Sequence, residues 1–319
     1  MSTYLQVGER CSLEHCGAPF PRQTSYHTHV KMIDIASVFK SVLRCINEER
    51  FGDLSAYCTE PMRLNGGDVS APEAFGSRIR AAGKVTIEAD ALTIDAATQR
   101  MGALTVVHLQ PAPGRADART KPVVFAEQWL LHFTDDKIAT MALMPDEAAV
   151  LSQLADPGLE LSPDLISQYD SDADDSASLS TSTKKLSTKE MENLYREYLA
   201  CINAHTMKTD LPRFVNQSVV HNANDLSLPA YCAAVQQVFT AVPDLVFVID
   251  TIIADETTQR IAARIEIAGT PTGPLVGIEA TGRSVRYYEH VTYSLKNGKI
   301  FGVWNIVDWT SYRRQLEEK

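Results

Sequence analysis

The chain of 319 residues contains two copies of one pattern, and this repeat limits its possible folds more than any other feature. Short segments recur in the same order, with an offset that drifts only from 156 to 162 residues. The matched segments are Leu43-Arg44-Cys45-Ile46-Asn47 with Leu199-Ala200-Cys201-Ile202-Asn203, Asp53-Leu54 with Asp210-Leu211, Asn65 with Asn222, Thr98-Gln99-Arg100 with Thr258-Gln259-Arg260, Glu127 with Glu289, and Asp146 with Asp308. Small loop insertions produce such a drift, whereas chance identities would not keep a common order. We therefore interpret the chain as a tandem duplication.

The boundaries of the two copies follow from length and composition. A domain typically has about 150 residues, and 45% apolar with 22% charged residues is ordinary for a globular protein. We predict an N-terminal arm over residues 1–31, a first repeat over 32–155, an acidic linker rich in Ser and Asp over 156–186, and a second repeat over 187–319. The centre of the linker has almost no apolar residues, so burial cannot offset its ordering entropy.

Charge and hydropathy exclude several kinds of partner. A net charge of −10 argues against binding to nucleic acid or to an anionic membrane, because phosphate groups require a basic surface. No stretch approaches the roughly 18 apolar residues of a membrane span, and the N-terminus has no apolar signal core, so we expect a cytoplasmic protein. Cys11, Cys16, His27 and His29 are zinc-ligand types, but their spacing fits no common zinc pattern. No metal site is predicted.

Each repeat is predicted to place helices first and strands second. Apolar residues at helical spacing predict an opening helix around Ile35–Ile46 and again around Met191–Ile202, where Ser187 and Glu190 form a capping box. Further helices are predicted over 72–82 and 229–240, and strands over 245–253, 260–268, 283–295 and 300–307, with a turn at Asn297-Gly298. This order is typical of α+β domains whose helices cover one face of a curved, mainly antiparallel sheet.

The second repeat resembles a known family over about residues 187–316. The motifs are Ala268-Gly269-Thr270-Pro271-Thr272-Gly273, Gly277, Thr281-Gly282, Asn297-Gly298-Lys299-Ile300 and Trp304-x-x-x-Asp308. They resemble the SnoaL-like polyketide cyclases of the nuclear-transport-factor-2-like superfamily. The resemblance implies two cone-shaped α+β barrels that pair as an intramolecular pseudo-dimer, and further oligomerisation stays open. The first repeat has Ala142 where Trp304 stands, so we expect it to be a degenerate structural partner.

The resemblance also suggests a catalytic aspartate. In the family, the aspartate of the terminal Trp-x-x-x-Asp segment is the acid and base of an intramolecular aldol ring closure, and Asp308 matches it. Because strand positions four apart share a face, Trp304 is predicted to line the pocket and Asp308 to face the substrate. The alternative is that Asp308 ends a strand and caps a tail helix over 310–317.

Strand alternation gives a separate prediction for residues 283–295. One face carries Tyr287, Glu289 and Tyr293 among apolar residues, so it is expected to point into the cone, where burial would raise the pKa of Glu289. The alternative is a structural Glu289 bonded to helix-end amides or to Arg264. His290 lies on the opposite face, where it is either a general base after a bulge or an interface histidine.

Four more residues are candidates for substrate binding. His221 and Asn222 follow two valines, in a segment that the resemblance places at the cavity mouth, although Asn222 could simply order a turn. Tyr195 and Tyr198 project from the apolar face of the opening helix and could be core residues or part of the pocket wall.

Together these residues predict an acid–base enzyme that needs no cofactor. The sequence has no glycine-rich phosphate loop and no Gly-x-Ser-x-Gly or His-Glu-x-x-His motif. We predict a cyclase or isomerase of a hydrophobic polyketide or terpenoid intermediate, in which Asp308, with Glu289 or His290, moves a proton. One alternative is a non-catalytic module that binds a small molecule or a protein. Another is a pericyclase, or an epoxide hydrolase to whose polar network Arg264 would contribute.

Overall fold

The structure is a computed structural model that describes residues 34–111, 122–156, 158–163, 165–170, 184–222 and 224–318. The predicted N-terminal arm, the Cys11, Cys16, His27 and His29 group, and the centre of the predicted acidic linker lie outside the described residues. In the described part of the chain, no helix is long and apolar enough to cross a membrane. The four cysteines within it, Cys45, Cys58, Cys201 and Cys232, are free thiols.

The first repeat places two helices ahead of its four long strands. Its elements are α1 (Ile35–Asn47), a 3-10 helix (Phe51–Ala56), β1 (Cys58–Leu64), β2 (Gly67–Val69), α2 (Ala71–Ala82), β3 (Gly83–Asp95), β4 (Arg100–Pro111), β5 (Val123–Thr134), β6 (Lys137–Pro145) and α3 (Glu147–Ala155). A short helix, α4 (Ser167–Asp170), precedes the second repeat.

The second repeat has the same order of elements. They are α5 (Thr188–Asn203), α6 (Met207–Asp210), a 3-10 helix (Leu211–Arg213), β7 (Val215–His221), β8 (Asn224–Ser227), α7 (Leu228–Ala241), β9 (Val246–Asp255), β10 (Arg260–Gly269), β11 (Val285–Lys296), β12 (Lys299–Val307) and α8 (Trp309–Glu317). The predicted helices and long strands are confirmed within a few residues, as is the capping box between Ser187 and Glu190. The short strands β1, β2, β7 and β8 were not predicted.

The two sheets have one topology. Each has six strands, in the orders β2-β1-β6-β5-β4-β3 and β8-β7-β12-β11-β10-β9. β1 runs parallel to β6 and β7 runs parallel to β12, and every other pairing is antiparallel. The identical strand order agrees with the repeat seen in the sequence, and the α+β class is confirmed.

Two of the repeated asparagines are explained by their backbone contacts. At the end of α1, the side chain of Asn47 donates to the carbonyl of Ile87 (2.9 Å) and accepts from its N–H (2.8 Å). Asn203 makes the same pair of bonds to Phe247 at the end of α5 (2.8 and 2.9 Å). Each asparagine therefore ties the opening helix to a strand and satisfies backbone groups that are partly buried.

The sheet faces that the helices leave open meet each other. The buried side chain of Gln128 on β5 donates to the carbonyl oxygen of Trp304 on β12 (2.6 Å) and accepts from Thr292 Oγ1 (3.3 Å). A Cβ at Gly102 would clash with that of Ala262, so a larger residue at 102 would force the sheets apart. Both faces of the two sheets are consequently buried over much of their area.

Part of the predicted linker packs beside this interface. The N–H of Ile166 donates to the carboxylate of Asp90 (2.7 Å), and its side chain is fully buried. The ring of Tyr169 lies 5.7 Å from that of Trp304. Residues 165–170 thus close the apolar cluster around Trp304.

Candidate active site

The second repeat has a cavity of about 200 Å³ between α5, α7 and the inner face of its sheet. Its wall is mainly apolar and aromatic, with contributions from α5, α7, all four long strands and the start of α8. For scale, an apolar cavity of about 150 Å³ engineered in another protein holds benzene. The volume therefore suits a flat ligand larger than one aromatic ring.

Glu289 is the carboxylate on this wall. It lies on β11 with Tyr287 and Tyr293, which share its face because successive strand residues alternate. Burial raises its pKa from 4.5 to about 7, against the effect of a hydrogen bond from Asn305. A carboxyl group with a pKa near 7 can both accept and donate a proton at neutral pH, as general acid–base catalysis requires.

Asn305 and Asn222 hold that carboxylate in place. Asn305 Nδ2 donates to Glu289 Oε1 (2.7 Å), and Asn305 Oδ1 accepts from Asn222 Nδ2 (2.7 Å). The backbone N–H of Asn305 also donates to Asn222 Oδ1 (2.9 Å). Asn222 adopts a left-handed conformation (φ 43°) at the turn after β7, which asparagine tolerates better than most residues. Among the described residues, no cation forms a salt bridge with Glu289.

Tyrosines supply most of the other polar atoms. The hydroxyls of Tyr198 on α5 and Tyr231 on α7 lie 2.6 Å apart. Burial raises the pKa of both groups, so both are protonated at neutral pH. His221 also lines the cavity, and burial lowers its pKa, which keeps the imidazole neutral.

The equivalent glutamate of the first repeat has different surroundings. Glu127 is fully buried and forms a salt bridge with Arg78 of α2. The corresponding residue of α7 is Val235, since Arg78 and Val235 both lie eight positions after the serine that begins their helix. Trp129, two residues after Glu127, is fully buried and stacks on Phe75. Arg78 lines a cavity of about 90 Å³ in this repeat, and Glu127 does not line it.

The polar groups around Glu289 are specific to the second copy. Matched through the repeated motifs, the first copy has apolar residues at the same positions. The pairs are Tyr198 with Val42, Tyr231 with Ala74, His221 with Leu64, Tyr287 with Phe125 and Asn305 with Leu143. The shared scaffold therefore does not need these polar side chains, and the second copy carries a polar site that the first copy lacks.

The prediction that Trp304 lines this cavity and that Asp308 faces it is wrong. Trp304 points to the other face of β12 and packs between the repeats with Leu104 and Ile166. Asp308 is the N-cap of α8, and its carboxylate accepts from the N–H of Ser311 (2.8 Å). The alternative interpretation of Asp308 as a helix cap is the one that the structure shows.

His290 and Arg264 also lie outside the cavity. His290 is buried on the interface face of β11, with Nδ1 3.2 Å from the carbonyl oxygen of Gln128, and burial lowers its pKa to about 4. Arg264 pairs with Asp250 (3.0 Å), and its guanidinium lies 3.5 Å from the ring centre of Tyr288. Neither residue lines the cavity that contains Glu289.

Of the predicted binding residues, His221, Tyr198, Tyr287 and Tyr293 line the cavity. Tyr195 lies behind Tyr293, with the ring centres 5.1 Å apart, and Asn222 acts through Asn305. Three further residues line the cavity and were not predicted, namely Tyr231, Asn305 and Trp309. The first two could have been found as polar residues at positions where the first copy has Ala74 and Leu143.

Comparison with known proteins places the second repeat in a family. Residues 192–316 match the SnoaL-like polyketide cyclase family. A SnoaL-like polyketide cyclase from Agrobacterium tumefaciens str. C58 is 30% identical, with 41% of this chain and 99% of that chain covered (TM-score 0.38). TsrD from Streptomyces laurentii is 22% identical, with 42% and 98% covered (TM-score 0.39). No curated protein matches the chain. Residues 192–316 are therefore a SnoaL-like polyketide cyclase domain.

Proposed function

We propose that the second repeat is a cofactor-independent cyclase or isomerase that acts on a hydrophobic polyketide or terpenoid intermediate. Glu289 is its general base and general acid. The observation that carries this proposal is the contrast between two equivalent glutamates. Glu127 is paired with Arg78, whereas Glu289 has no cationic partner among the described residues, lines a cavity of about 200 Å³ and has a pKa near 7.

The chemistry follows from the surroundings of the carboxylate. Ionised Glu289 would remove a proton from a carbon next to a carbonyl group of the bound substrate, and the protonated form would return it to carbon or oxygen. Asn305 fixes the direction of the carboxylate, and the aromatic wall holds the substrate in one orientation while excluding water. The resulting carbanion can close a ring or move a double bond, depending on the substrate.

In this proposal the first repeat is a structural partner. We infer that the two cone-shaped halves pair as an intramolecular pseudo-dimer, in which β5 covers the open face of β11 and β12. The buried side chain of Gln128 supports this role, because it satisfies polar groups on both strands that the second repeat would otherwise leave exposed.

Proton transfer at carbon can be tested without knowledge of the natural substrate. 2-Tetralone is an enolisable ketone fused to a benzene ring, and the loss of its C1 protons in D₂O can be followed by NMR. The wild-type protein should accelerate this exchange. Glu289→Gln should lower the protein-catalysed exchange rate at least about a hundredfold, as expected for loss of a general base. Glu127→Gln is the matched control and should exchange at the wild-type rate.

An equal rate in the wild type and in Glu289→Gln would refute the catalytic role. That outcome would favour the alternative, a module that binds hydrophobic molecules without converting them.

A further inference from the structure

Two tyrosine hydroxyls meet on the wall of the cavity that contains Glu289. Tyr198 reaches it from α5 and Tyr231 from α7, and their oxygen atoms are 2.6 Å apart. Both side chains are almost fully buried. The charge of Glu289 influences the titration of both hydroxyls, which places the pair within electrostatic range of the carboxylate.

The pair has one O–H donor more than the hydrogen bond between the two tyrosines uses. Two protonated hydroxyls carry two O–H donors, and one of them is used between Tyr198 and Tyr231. Among the described residues, neither hydroxyl has a further hydrogen-bond acceptor. The second O–H is therefore a donor at the wall of an apolar cavity, where a ligand atom that accepts it gains more than it would in water.

Folding of the scaffold does not require this pair. The first repeat has Val42 and Ala74 at the two positions, and it packs its core without polar groups there. The tyrosines occur in the copy whose glutamate has no counter-ion among the described residues, and the second O–H of the buried pair has no acceptor there, which is costly unless a ligand accepts it. Both features occur together only in the second copy.

We propose that the Tyr198–Tyr231 pair donates a hydrogen bond to the carbonyl oxygen of the substrate. The inference rests on the proposed function of Glu289. When Glu289 takes the proton from carbon, the electrons of the C–H bond form the enolate double bond and the negative charge moves to the carbonyl oxygen. The free O–H of the pair donates to that oxygen, and the protonated Glu289 returns the proton to complete the cycle.

Binding of an inert analogue tests this subsite separately from turnover. 2-Naphthol has the shape of the enol of 2-tetralone and does not react, and naphthalene lacks the oxygen. The wild type should bind 2-naphthol at least about tenfold more tightly than naphthalene, the ratio expected of one buried hydrogen bond. The double variant Tyr198→Phe/Tyr231→Phe should bind both equally, with unchanged affinity for naphthalene. Tyr312→Phe, a substitution of a buried tyrosine that does not line the cavity, should keep the preference.

A preference for 2-naphthol that survives in the double variant would overturn the proposal. A second measurement needs no variant: the carbonyl band of 2-tetralone bound to the wild type should lie at lower wavenumber than in cyclohexane, and an unshifted band would also overturn it. Failure of the proposed function looks different, because Glu289→Gln would then still exchange 2-tetralone while the naphthol preference stayed intact.

Discussion

Replacing Glu289 with glutamine should make the protein more stable at alkaline pH. Gln keeps the oxygen that accepts from Asn305 and has nearly the same volume, but it cannot ionise. In the wild type, burial raises the pKa of Glu289 from 4.5 to about 7, so the folded state binds this proton more tightly than the unfolded state does. Below pH 4.5 the group is protonated in both states and costs nothing. Between pH 4.5 and about 7 stability is lost as the pH rises, because the charged form is disfavoured only in the folded protein.

The size of the loss follows from the pKa change. At about 1.4 kcal/mol for each unit of pKa, the rise corresponds to about 3 kcal/mol, fully expressed above pH 7. The free energy of unfolding of Glu289→Gln should therefore exceed that of the wild type by about 3 kcal/mol at alkaline pH. The two proteins should converge as the pH falls to 4.5.

The assay is urea denaturation followed by tryptophan fluorescence, at several pH values between about 4 and about 9. Subtracting wild type from variant cancels the titration of groups that the two proteins share. Glu127→Gln is a sharp control, since it breaks a salt bridge to Arg78 and should destabilise by about 1–3 kcal/mol at neutral pH. A difference between Glu289→Gln and wild type that does not change with pH would refute the reasoning, as would destabilisation by both substitutions.

Two further substitutions test the assignments of Asn305 and Asp308. Asn305→Leu introduces the residue that the first repeat has at this position, Leu143, and removes the hydrogen bond that lowers the pKa of Glu289. The midpoint of the pH–rate profile for 2-tetralone exchange should therefore rise by about one pH unit from its wild-type position. A midpoint that stays in place contradicts the role given to Asn305. Asp308→Ala removes the N-cap of α8 and should lower the free energy of unfolding by about 1 kcal/mol while leaving the exchange rate unchanged. A large loss of exchange rate in a folded variant would instead support a catalytic role for Asp308.

Much of the fold could be predicted because the same pattern of helices and strands occurs twice in the sequence. The helical spacing around Tyr195 and Tyr198, and the strand alternation through Tyr287, Glu289 and Tyr293, identified which faces are buried. Local signals of this kind depend only on the period of the element. Alternation thus placed Glu289 on the cavity face and His290 on the opposite face, where the alternative of an interface histidine is the one that the structure shows.

The contacts of Glu289 depend on tertiary structure and could not be predicted in the same way. Asn305 lies on the neighbouring strand β12, and the sequence does not show which residues of β12 point into the cavity. The interface between the repeats buries the second face of both sheets, so apolar residues such as Trp304 and Ile306 occur on that face as well. When both faces are buried, hydrophobic alternation no longer identifies the inner one.

A single extra residue accounts for the error about Trp304. The hairpin begins with Lys296 opposite Lys299, and a regular ladder from there would place Trp304 opposite Val291, on the face of Glu289. Instead the register shifts between Ser294 and Leu295, and Trp304 lies opposite Thr292 on the interface face. A shift of one residue exchanges the two faces of everything beyond it. The same shift occurs in the first repeat between His132 and Phe133, so comparing the copies could not reveal it. The bulge therefore brings Asn305 beside Glu289 and turns Trp304 toward the partner sheet, which makes it a determinant of both the site and the interface.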